Sequence, residues 1–598
     1  MAPYACYVFT MQRDDLRTRA EQWLEDDPDP TTRAELRSLL AHPDPSSTDL
    51  EDRFAATLEF GTAGLRGVLG AGPNRMNRAV VARATWGVAS ELLASVPRAA
   101  ERGVVVGGDA RRLSRELAED AAAILAAAGL RVVLFSGPVP TPLVGFAVKT
   151  LEAAAGIVIT ASHNPPEYNG YKVYWEDAAQ IVPPTDARIA AAIARAPPAR
   201  AIARPPLAAL RARGALVAAR PGIARGYLAA VRALAIHPHE GDRSLRIVYT
   251  PLHGTGDALM RRALDDAGFT ETTSVPEQRA PDGAFPTVAF PNPEEPGTID
   301  LALALAQRTG AQLVLANDPD ADRLAVAVPN TTPEGLGYYR LSGNDVGVLL
   351  GHYLLTERPA VRPRAVLASI VSSPLLGRIA TSLGVRYEET LTGFKWIAHR
   401  SLELERQGYE VVFGYEEALG YCVGDVVHDK DGISAGVLVA ELAAVLGAVG
   451  RTLSSRLEEI ARRWGAHCSL QVSIVKSGAS GADVLREMMG RLRRGPPRRI
   501  GDEAVISIED YDVGTRRDMR TGEEHPLALP SSNVLVFHLA SGSRIIARPS
   551  GTEPKAKFYF DVREEVSDDE PLSGAAQRAS ARLQALAGAF MAIATPPV

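Results

Sequence analysis

The chain has 598 residues, of which 46% are hydrophobic and 23% are charged, and its formal net charge is −6 at pH 7. This length exceeds what one hydrophobic core supports, so we expect roughly three to five domains. The charge gives no reason to expect nucleic acid or a membrane surface as partner, and no apolar run suits a transmembrane helix. The three cysteines lie far apart, which indicates reduced thiols in a cytoplasmic protein and neither a disulfide framework nor a zinc site.

The first half of the chain alternates apolar, β-like runs with helical stretches rich in Ala and Leu. "GVVVGGDARR" (103–112) predicts a strand and a loop, and residues 116–135 predict a helix, a glycine stop and another strand. The same pattern recurs at 260–271 and 375–389, with Gly129, Gly268 and Gly384 where a helix end favours glycine. It predicts three related α/β units with largely parallel sheets, although unrelated α/β proteins also use it.

Two proline-rich stretches, 195–206 and 493–499, predict linkers or surface loops between domains. After residue 500 the sequence changes to short apolar runs separated by turns. A final helix is predicted over "AAQRASARLQALAGAFMAIA" (575–594). This change predicts a smaller α+β domain at the C-terminus.

The stretch "TASHNPPEYNGYK" (160–172) places Ser162 before His-Asn-Pro-Pro and closes on Lys172. Asn, Pro and Gly are common in turns, so this serine could simply bond its own backbone. The lysine is informative because only seven of the 65 basic residues are lysines. An ammonium group can lose its proton, whereas a guanidinium group effectively cannot.

The stretch "LVLANDPDADRLAVAV" (313–328) predicts a strand that runs into Asp318, Asp320 and Asp322. In an extended chain this spacing places three carboxylates on one side, where they repel unless a cation lies between them. An all-oxygen ligand set suits Mg²⁺. A calcium hand is excluded because its sixth position is Arg323 and its twelfth is Pro329. The alternative is an acidic turn after a strand.

Four further stretches carry weaker signals. "RPSGTEPK" (548–555) offers a guanidinium, two hydroxyls and a glycine, which suits a phosphate but also suits a hairpin turn. "GYEEALGY" (414–421) follows the apolar "YEVVF", so its glutamates are predicted at a strand end, where they could accept hydrogen bonds from a sugar or cap the next helix. "TLTGFKW" (390–396) places Lys395 on a loop, and "GTAGLRG" (61–67) does the same for Arg66.

Together these stretches supply a serine, a possible metal site and a separate anion site. A serine hydrolase is disfavoured because Ser162 lacks the Gly-x-Ser-x-Gly turn and a hydrolase has no use for three aspartates. Phosphoryl transfer through the serine uses every part. A catalytically silent phosphosugar-binding protein is the alternative of another class, and the combination of serine, aspartates and lysine argues against it.

"TASHNPP", "DPDADR", "GYEEALGY" and "RPSGTEPK" occur in the order and spacing of the α-D-phosphohexomutases. The chain resembles this family from about residue 11 to the C-terminal helix, and most of all its branch of phosphoglucomutase-2-like enzymes and phosphopentomutases. The resemblance implies an α/β protein with a four-domain architecture around a central cleft, in which three related α/β domains with mixed sheets precede a smaller α+β domain. Their expected bounds are 1–222 with a phosphoserine loop, 223–333 with a metal-binding Asp loop, 334–468 with a sugar-recognition loop and 469–598 with a phosphate-binding loop.

The resemblance also implies residue roles. Ser162 would be the phosphoserine, and the three aspartates would hold Mg²⁺ together with a phosphate oxygen of that serine. Lys172 would be the general acid and base, which requires a pKa lowered toward about 7–8, and Arg66 would lie beside the transferring group. His163 and Asn164 would line the serine loop, and Arg323 would be a nearby phosphate or loop contact. The sugar contacts would be Gly393, Lys395, Glu416 and Glu417. The phosphate that is not reacting would be bound by Arg548, Ser550, Gly551 and Thr552.

The reaction implied is the interconversion of α-D-glucose 1-phosphate and glucose 6-phosphate through a glucose 1,6-bisphosphate intermediate, by a monomer or homodimer. Many relatives carry Glu-x-Ser in the sugar loop, whereas this chain has Ala418 in place of the serine. The missing hydroxyl leaves the sugar open, so phosphopentomutase and phosphomannomutase are alternatives. A sugar 1,6-bisphosphate synthase built from the same parts is another.

Overall fold

The computed structural model describes residues 13–41, 48–54, 56–61, 63–332, 335–475, 481–549, 555–567 and 569–595. They divide into two compact units. The first unit contains the described residues up to Leu341 together with Ala418–Ala444. The second contains Ser342–Glu417 and the described residues from Val445 onward. The four domain bounds expected from the sequence stay a prediction.

The first unit begins with three helices, α1 (Arg13–Asp26), α2 (Pro30–Leu40) and α3 (Thr48–Phe54), which share a small apolar cluster. An α/β segment follows, whose elements are β1 (Leu65–Val68), α4 (Arg78–Ser95), α5 (Ala99–Arg102), β2 (Val104–Gly108), α6 (Ser114–Ala127), β3 (Val132–Leu134), α7 (Thr141–Thr150), β4 (Ala155–Ile159), β5 (Tyr168–Tyr174), α8 (Thr185–Ala194), a 3₁₀ turn (Ala199–Ala201), α9 (Leu207–Ala212), β6 (Leu216–Ala218) and α10 (Pro221–Arg232).

A second α/β segment completes most of the first unit. Its elements are β7 (Ile247–Thr250), α11 (Asp257–Asp266), β8 (Thr272–Ser274), α12 (Asp300–Thr309), β9 (Leu313–Asn317), β10 (Leu324–Thr332) and β11 (Gly335–Arg340). The third α/β segment contains α13 (Gly343–Glu357), β12 (Arg364–Ser369), α14 (Leu375–Ser382), β13 (Arg386–Thr390), α15 (Phe394–Arg406), β14 (Glu410–Glu416), β15 (Gly420–Val423), α16 (Gly432–Ala448) and α17 (Leu453–Trp464).

The C-terminal segment is rich in strands, as the change of sequence after residue 500 predicts. Its elements are β16 (Ala466–Val475), α18 (Gly481–Arg494), β17 (Arg499–Ile500), β18 (Glu503–Asp510), β19 (Thr515–Asp518), β20 (Glu524–Pro526), β21 (Leu535–Leu539), β22 (Arg544–Pro549), β23 (Lys555–Glu564) and α19 (Leu572–Ala594). The last helix covers the helix predicted at 575–594. The first proline-rich stretch contains the 3₁₀ turn, and the second connects α18 to β17.

The sheets are mixed, so the expectation of largely parallel sheets is only partly right. In the order β1-β5-β4-β2-β3-β6 the last four strands are parallel, and β5 and β1 are antiparallel additions at one edge. In the second sheet, of order β11-β10-β9-β7-β8, the strands β9, β7 and β8 are parallel, and β10 and β11 are antiparallel. The strands β13, β12 and β14 are parallel, and the C-terminal sheet is antiparallel.

Local sequence explains many of the boundaries. Gly129, Gly268 and Gly384 have φ of 95°, 91° and 68°, which confirms the left-handed helix ends predicted from the repeated pattern. The apolar strands β2 and β4 are wholly buried because helices cover parallel sheets on both faces. No single helix in the described ranges is long and apolar enough to cross a bilayer, although the bent pair α16 and α17 meets that test by length and composition.

Candidate active site

Ser162 lies in the loop that follows β4, in the first unit. Its φ is +52°, a left-handed conformation that is uncommon for residues other than glycine, and its side chain is buried. The Ser162 hydroxyl donates a hydrogen bond to Oδ2 of Asp318, and the two oxygens are 2.7 Å apart. The loop is therefore more than a chain reversal, because it brings the serine into contact with one of the predicted carboxylates.

Arg111 and Asp109, which the sequence analysis did not single out, hold the serine loop in place. The Arg111 guanidinium donates to the carbonyl oxygens of Ser162 and Pro165 at 2.6 and 2.8 Å. Asp109 accepts a hydrogen bond from Thr160, whose hydroxyl oxygen in turn accepts from the Ser162 amide at 2.8 Å. Because the carbonyl oxygens of Ser162 and Pro165 and the amide of Ser162 all form hydrogen bonds, the surrounding side chains fix the conformation of the serine loop.

The three aspartates follow β9 and are buried, and their carboxylate oxygens lie within 4.8 Å of one another. They converge through a tight turn, in which Ala321 has φ of +57°, and not through the extended chain assumed from their spacing. Asp318 Oδ1 accepts from the Arg323 amide, which closes the turn. The sequence thus identified the cluster correctly, whereas the reason given for its convergence was wrong.

The cluster has the donor atoms that Mg²⁺ requires. The oxygens Oδ1 of Asp320 and Oδ1 of Asp322 are buried and have no hydrogen-bond partner. Buried carboxylate oxygens without partners are costly, and an oxygen-binding cation would satisfy them. Asp318 and the hydroxyl of Ser162 add further oxygens at the same place. The residues present therefore fit a magnesium ion.

Lys172 lies on β5 and its ammonium group is 2.8 Å from both Asp320 and Asp322. Burial alone would lower the pKa of Lys172, but the two carboxylates outweigh it and raise the pKa above its ordinary value. The expectation of a lowered pKa is therefore wrong for this arrangement. The charges nearest to the Lys172 ammonium are those of these carboxylates.

Lys430 is a second lysine at the same cluster, and the sequence analysis missed it. Its ammonium group is 3.2 Å from Asp322 and 3.4 Å from Asp429. Burial alone would raise the pKa of Asp322, but Lys172, Lys430 and Arg323 lower it. The rarity of lysine in this chain was the signal that could have found Lys430, since it follows the strand β15 just past the predicted sugar loop.

His163, Asn164, Arg66 and Arg323 surround the serine. Nδ1 of His163 is 3.2 Å from the Ser162 hydroxyl oxygen, and burial together with the charges of Arg323 and Arg66 lowers the pKa of His163 well below its ordinary value. Arg66 donates to the Asn164 side chain at 3.2 Å. It lies in strand β1 and not in the loop we expected. The imidazole beside the serine is therefore neutral at physiological pH.

In the second unit, Glu416 ends β14 as predicted and accepts a hydrogen bond from the Gly393 amide at 2.6 Å. Gly393 has φ of 113° and precedes α15, so Lys395 lies in the first turn of a helix and not on a loop. The Lys395 ammonium lies 5.8 Å from the centre of the Trp396 ring. Glu416, Gly393 and Lys395 are thus neighbours at the start of one helix.

Glu417 belongs to a different set of contacts from Glu416. Its Oε2 accepts from the hydroxyls of Ser369 and Ser372 at 3.3 and 3.4 Å, and its amide donates to Ser372 at 3.0 Å. The serines lie at and just beyond the end of β12. Glu417 is therefore held by two serines of its own unit, whereas one oxygen of the Glu416 carboxylate is hydrogen-bonded to the Gly393 amide.

Arg548 lies near the end of β22, opposite Lys557 of β23. Burial and the charge of Glu417 raise the pKa of Tyr559, and the hydrogen-bonded guanidinium of Arg548 acts in the opposite direction. Tyr559, which the sequence analysis did not mention, therefore lies close to both the predicted sugar residues and the predicted phosphate residues. Ser550, Gly551 and Thr552 fall between β22 and β23 and lie outside the described residues.

Three family models match the chain in order. They are the phosphoglucomutase/phosphomannomutase α/β/α domains I, II and III, at residues 57–200, 225–332 and 342–464. Together with the mixed α/β segments, the serine loop and the aspartate turn, these matches define a phosphohexomutase. The chain belongs to the α-D-phosphohexomutase family, in the branch similar to phosphoglucomutase-2, and is an enzyme of the phosphotransferase and isomerase type.

Individual relatives carry different names. The chain is 36% identical to human phosphopentomutase, over 92% of both chains. It is 39% identical to "Probable phosphomannomutase" of Haemophilus influenzae, over 82% of this chain and 93% of that protein. It is 34% identical to human glucose 1,6-bisphosphate synthase, over 92% of this chain and 90% of that protein. Overall identity therefore does not separate a pentose mutase, a hexose mutase and a synthase.

Proposed function

We propose that this protein interconverts α-D-glucose 1-phosphate and glucose 6-phosphate through a phosphoserine at Ser162 and a glucose 1,6-bisphosphate intermediate. The observation that supports this most is the 2.7 Å hydrogen bond between Ser162 and Asp318, within a cluster whose other carboxylates keep unpartnered oxygens. A serine in this setting can accept and return a phosphoryl group while nearby cations spread the charge of the transfer.

In the first half-reaction, an oxygen of the sugar attacks the phosphorus on Ser162. The new P–O bond forms to the sugar, the bond to Ser162 Oγ breaks, and the sugar hydroxyl releases a proton. Neutral His163, beside the serine oxygen, can accept that proton. In the second half-reaction the other phosphate of the bisphosphate returns to Ser162 Oγ by the reverse exchange.

The charged residues around Ser162 stabilise the transfer. Mg²⁺ held by Asp318, Asp320, Asp322 and Ser162 would supply positive charge to the transferring phosphoryl group. Lys172, whose pKa is raised by its carboxylate neighbours, is an ammonium donor in this arrangement. Lys430 and Arg323 add two further cations, and Arg66 reaches the loop through Asn164. We assign to Lys172 the donation of a hydrogen bond or proton to the departing Ser162 oxygen in the first half-reaction, and it recovers that proton when Ser162 Oγ attacks in the second.

We propose that the second unit recognises the sugar and its other phosphate. Glu416, Gly393 and Lys395 would contact the sugar, with Glu417 supporting them from its serine anchors. Arg548, Ser550, Gly551 and Thr552 would bind the phosphate that is not reacting. Because the bisphosphate must bind in two directions, this clamp must accept either phosphate. The enzyme would use Mg²⁺ and glucose 1,6-bisphosphate in the cytoplasm, as a monomer or homodimer.

A second candidate is a phosphopentomutase. It is favoured by the 36% identity to human phosphopentomutase and by Ala418, which removes a hydroxyl from the sugar loop. The same chemistry would serve ribose 1-phosphate, or mannose 1-phosphate in a phosphomannomutase. A synthase would instead take its phosphoryl group from an external donor and release the bisphosphate.

Phosphorus NMR distinguishes these candidates. The protein, Mg²⁺ and a trace of glucose 1,6-bisphosphate are incubated separately with the 1-phosphates of glucose, mannose, N-acetylglucosamine and ribose. Conversion of the glucose ester to glucose 6-phosphate at the highest rate is the expected result. Fastest conversion of the ribose ester would assign a pentomutase. Binding of the esters without conversion of any of them would contradict a mutase.

A further inference from the structure

A groove of about 780 Å³ lies in the first unit, and its lining includes none of the residues assigned to catalysis. Its walls are α1, the residues around the end of α3, helix α4 and the segment 196–201 that follows α8. Arg19, Gln22, Trp23 and Asp26 line it from one face of α1, since residues three and four apart share a side of a helix. This volume is typical of a site for a small metabolite.

Arg83 of α4 makes the groove suitable for an anion. Its half-buried side chain lines the groove and forms no hydrogen bond or ion pair with any other described residue. By contrast, Arg78 on the same helix is held by both oxygens of Asp120 at 2.7 Å. A partly buried guanidinium without a partner is a fitted donor for a phosphate or carboxylate.

Another part of the lining suits a flat or ring-shaped ligand. Trp23 lines the groove and packs edge-to-face on Phe54, with the ring centres 6.4 Å apart. The indole N–H of Trp23 is buried, and no described residue accepts a hydrogen bond from it. Pro73 and Pro198 add apolar surface, and the carboxylates of Glu25 and Asp26 can accept hydrogen bonds from hydroxyl or amino groups.

We propose that this groove is an effector site that binds a phosphate ester of a ring-bearing metabolite, with the phosphate on Arg83 and the ring beside Trp23. The ester is either a nucleotide or a sugar phosphate, because both combine one anionic group with a ring that carries hydrogen-bond donors. The loop that contributes Pro73 begins directly after β1, the strand that carries Arg66. Occupancy of the groove can therefore act on a residue beside the serine loop.

Isothermal titration calorimetry on the full chain tests the proposal. The probes are adenosine 5′-monophosphate, ribose 5-phosphate, glucose 6-phosphate and inorganic phosphate, each titrated into the wild type, Arg83→Ala and Arg83→Gln. The active site is the same in all three proteins, so only the component of binding that depends on Arg83 reports the groove. Arg115→Ala, on the surface of α6, is the matched control.

We expect Arg83→Ala to weaken one ester by at least about tenfold, with Arg115→Ala unchanged and basal turnover intact. Arg83-dependent binding of adenosine 5′-monophosphate would identify a nucleotide effector, and Arg83-dependent binding of a sugar ester would identify a sugar phosphate. Absence of any Arg83-dependent component, or one seen with inorganic phosphate alone, would overturn the proposal. These binding measurements do not require turnover, so their outcome does not depend on whether the protein is a mutase.

Discussion

The serine cluster of the first unit and the residues of the second unit that we propose for sugar recognition are built differently. Around Ser162, almost every charged group touches an opposite charge: Lys172 lies 2.8 Å from two aspartates, and Lys430 lies 3.2 Å from one of them. In the second unit, Glu416 accepts a hydrogen bond from the Gly393 amide, and the Lys395 ammonium lies 5.8 Å from the centre of the Trp396 ring. The first region is a network of buried charges around two unpartnered carboxylate oxygens, whereas the second places a buried carboxylate against a backbone amide at the start of a helix.

The proposed function gives a physical reason for this difference. Phosphoryl transfer depends on charges fixed in place before the substrate arrives, so the residues that perform it support one another. Recognition of a sugar in two directions depends on a few groups that can bind different hydroxyls. We therefore expect substitutions in the first region to abolish turnover, and substitutions in the second to change which sugar is preferred.

The largest effect is expected for Ser162→Ala. Because the serine would carry the phosphoryl group, we expect turnover to fall by about 10⁴-fold or more, with binding of sugar phosphates largely intact. Turnover is measured by phosphorus NMR and binding by calorimetry. Ser95→Ala, an exposed serine at the end of α4, is the control. Turnover of Ser162→Ala at the wild-type rate would rule out the phosphoserine mechanism.

A smaller loss is expected for Lys172→Arg. The charge beside Asp320 and Asp322 is kept, but a guanidinium effectively cannot give up a proton, so we expect kcat to fall by about 10²–10³-fold. Lys149→Arg, on α7, is the matched control. The thermal midpoint is measured alongside, since an equal loss of stability would indicate a structural role only. An unchanged kcat would show that charge alone suffices.

In the second unit, His352→Leu tests a pH dependence of stability. Burial, with the charges of Arg456 and Arg463, lowers the pKa of His352 from 6.5 to about 4. The unfolded chain therefore takes up a proton below pH 6.5 that the folded chain refuses, so the contribution to stability falls as the pH falls from about 6.5 to about 4.

We expect His352→Leu to gain stability relative to the wild type over that range, by about 3 kcal/mol at most. Thermal midpoints measured by calorimetry between pH 7 and pH 4 test this. His525→Leu, at an exposed histidine of β20, is the control. Parallel curves for wild type and His352→Leu would contradict the linkage.

The smallest effect is expected for Ala418→Ser, which restores the hydroxyl that many relatives carry. One added hydrogen bond to a sugar changes specificity modestly, so we expect the kcat/KM of glucose 1-phosphate relative to ribose 1-phosphate to rise by about threefold to tenfold. The two esters are assayed in parallel, with Ala191→Ser on α8 as a control. An unchanged ratio would place the determinant of sugar preference elsewhere.

Several features could be predicted from the sequence because they depend on short-range chemistry. The three helix–glycine–strand patterns, the strand-rich C-terminal segment and the aspartate cluster were all predicted from local patterns and are present. Gly129 ends its helix in the left-handed conformation because glycine alone adopts it without steric cost. Glu416 ends a strand as predicted.

Other features were decided by contacts between distant parts of the chain. The pKa of Lys172 is raised because residues almost 150 positions later supply two carboxylates at 2.8 Å, and Lys430 joins the same cluster from another 108 positions on. Arg111 fixes the serine loop by binding carbonyls that no local pattern reveals. The sequence by itself determined which residue types and which family chemistry this protein has. The tertiary structure decided their charge states, because electrostatic interactions depend on distances that only the fold sets.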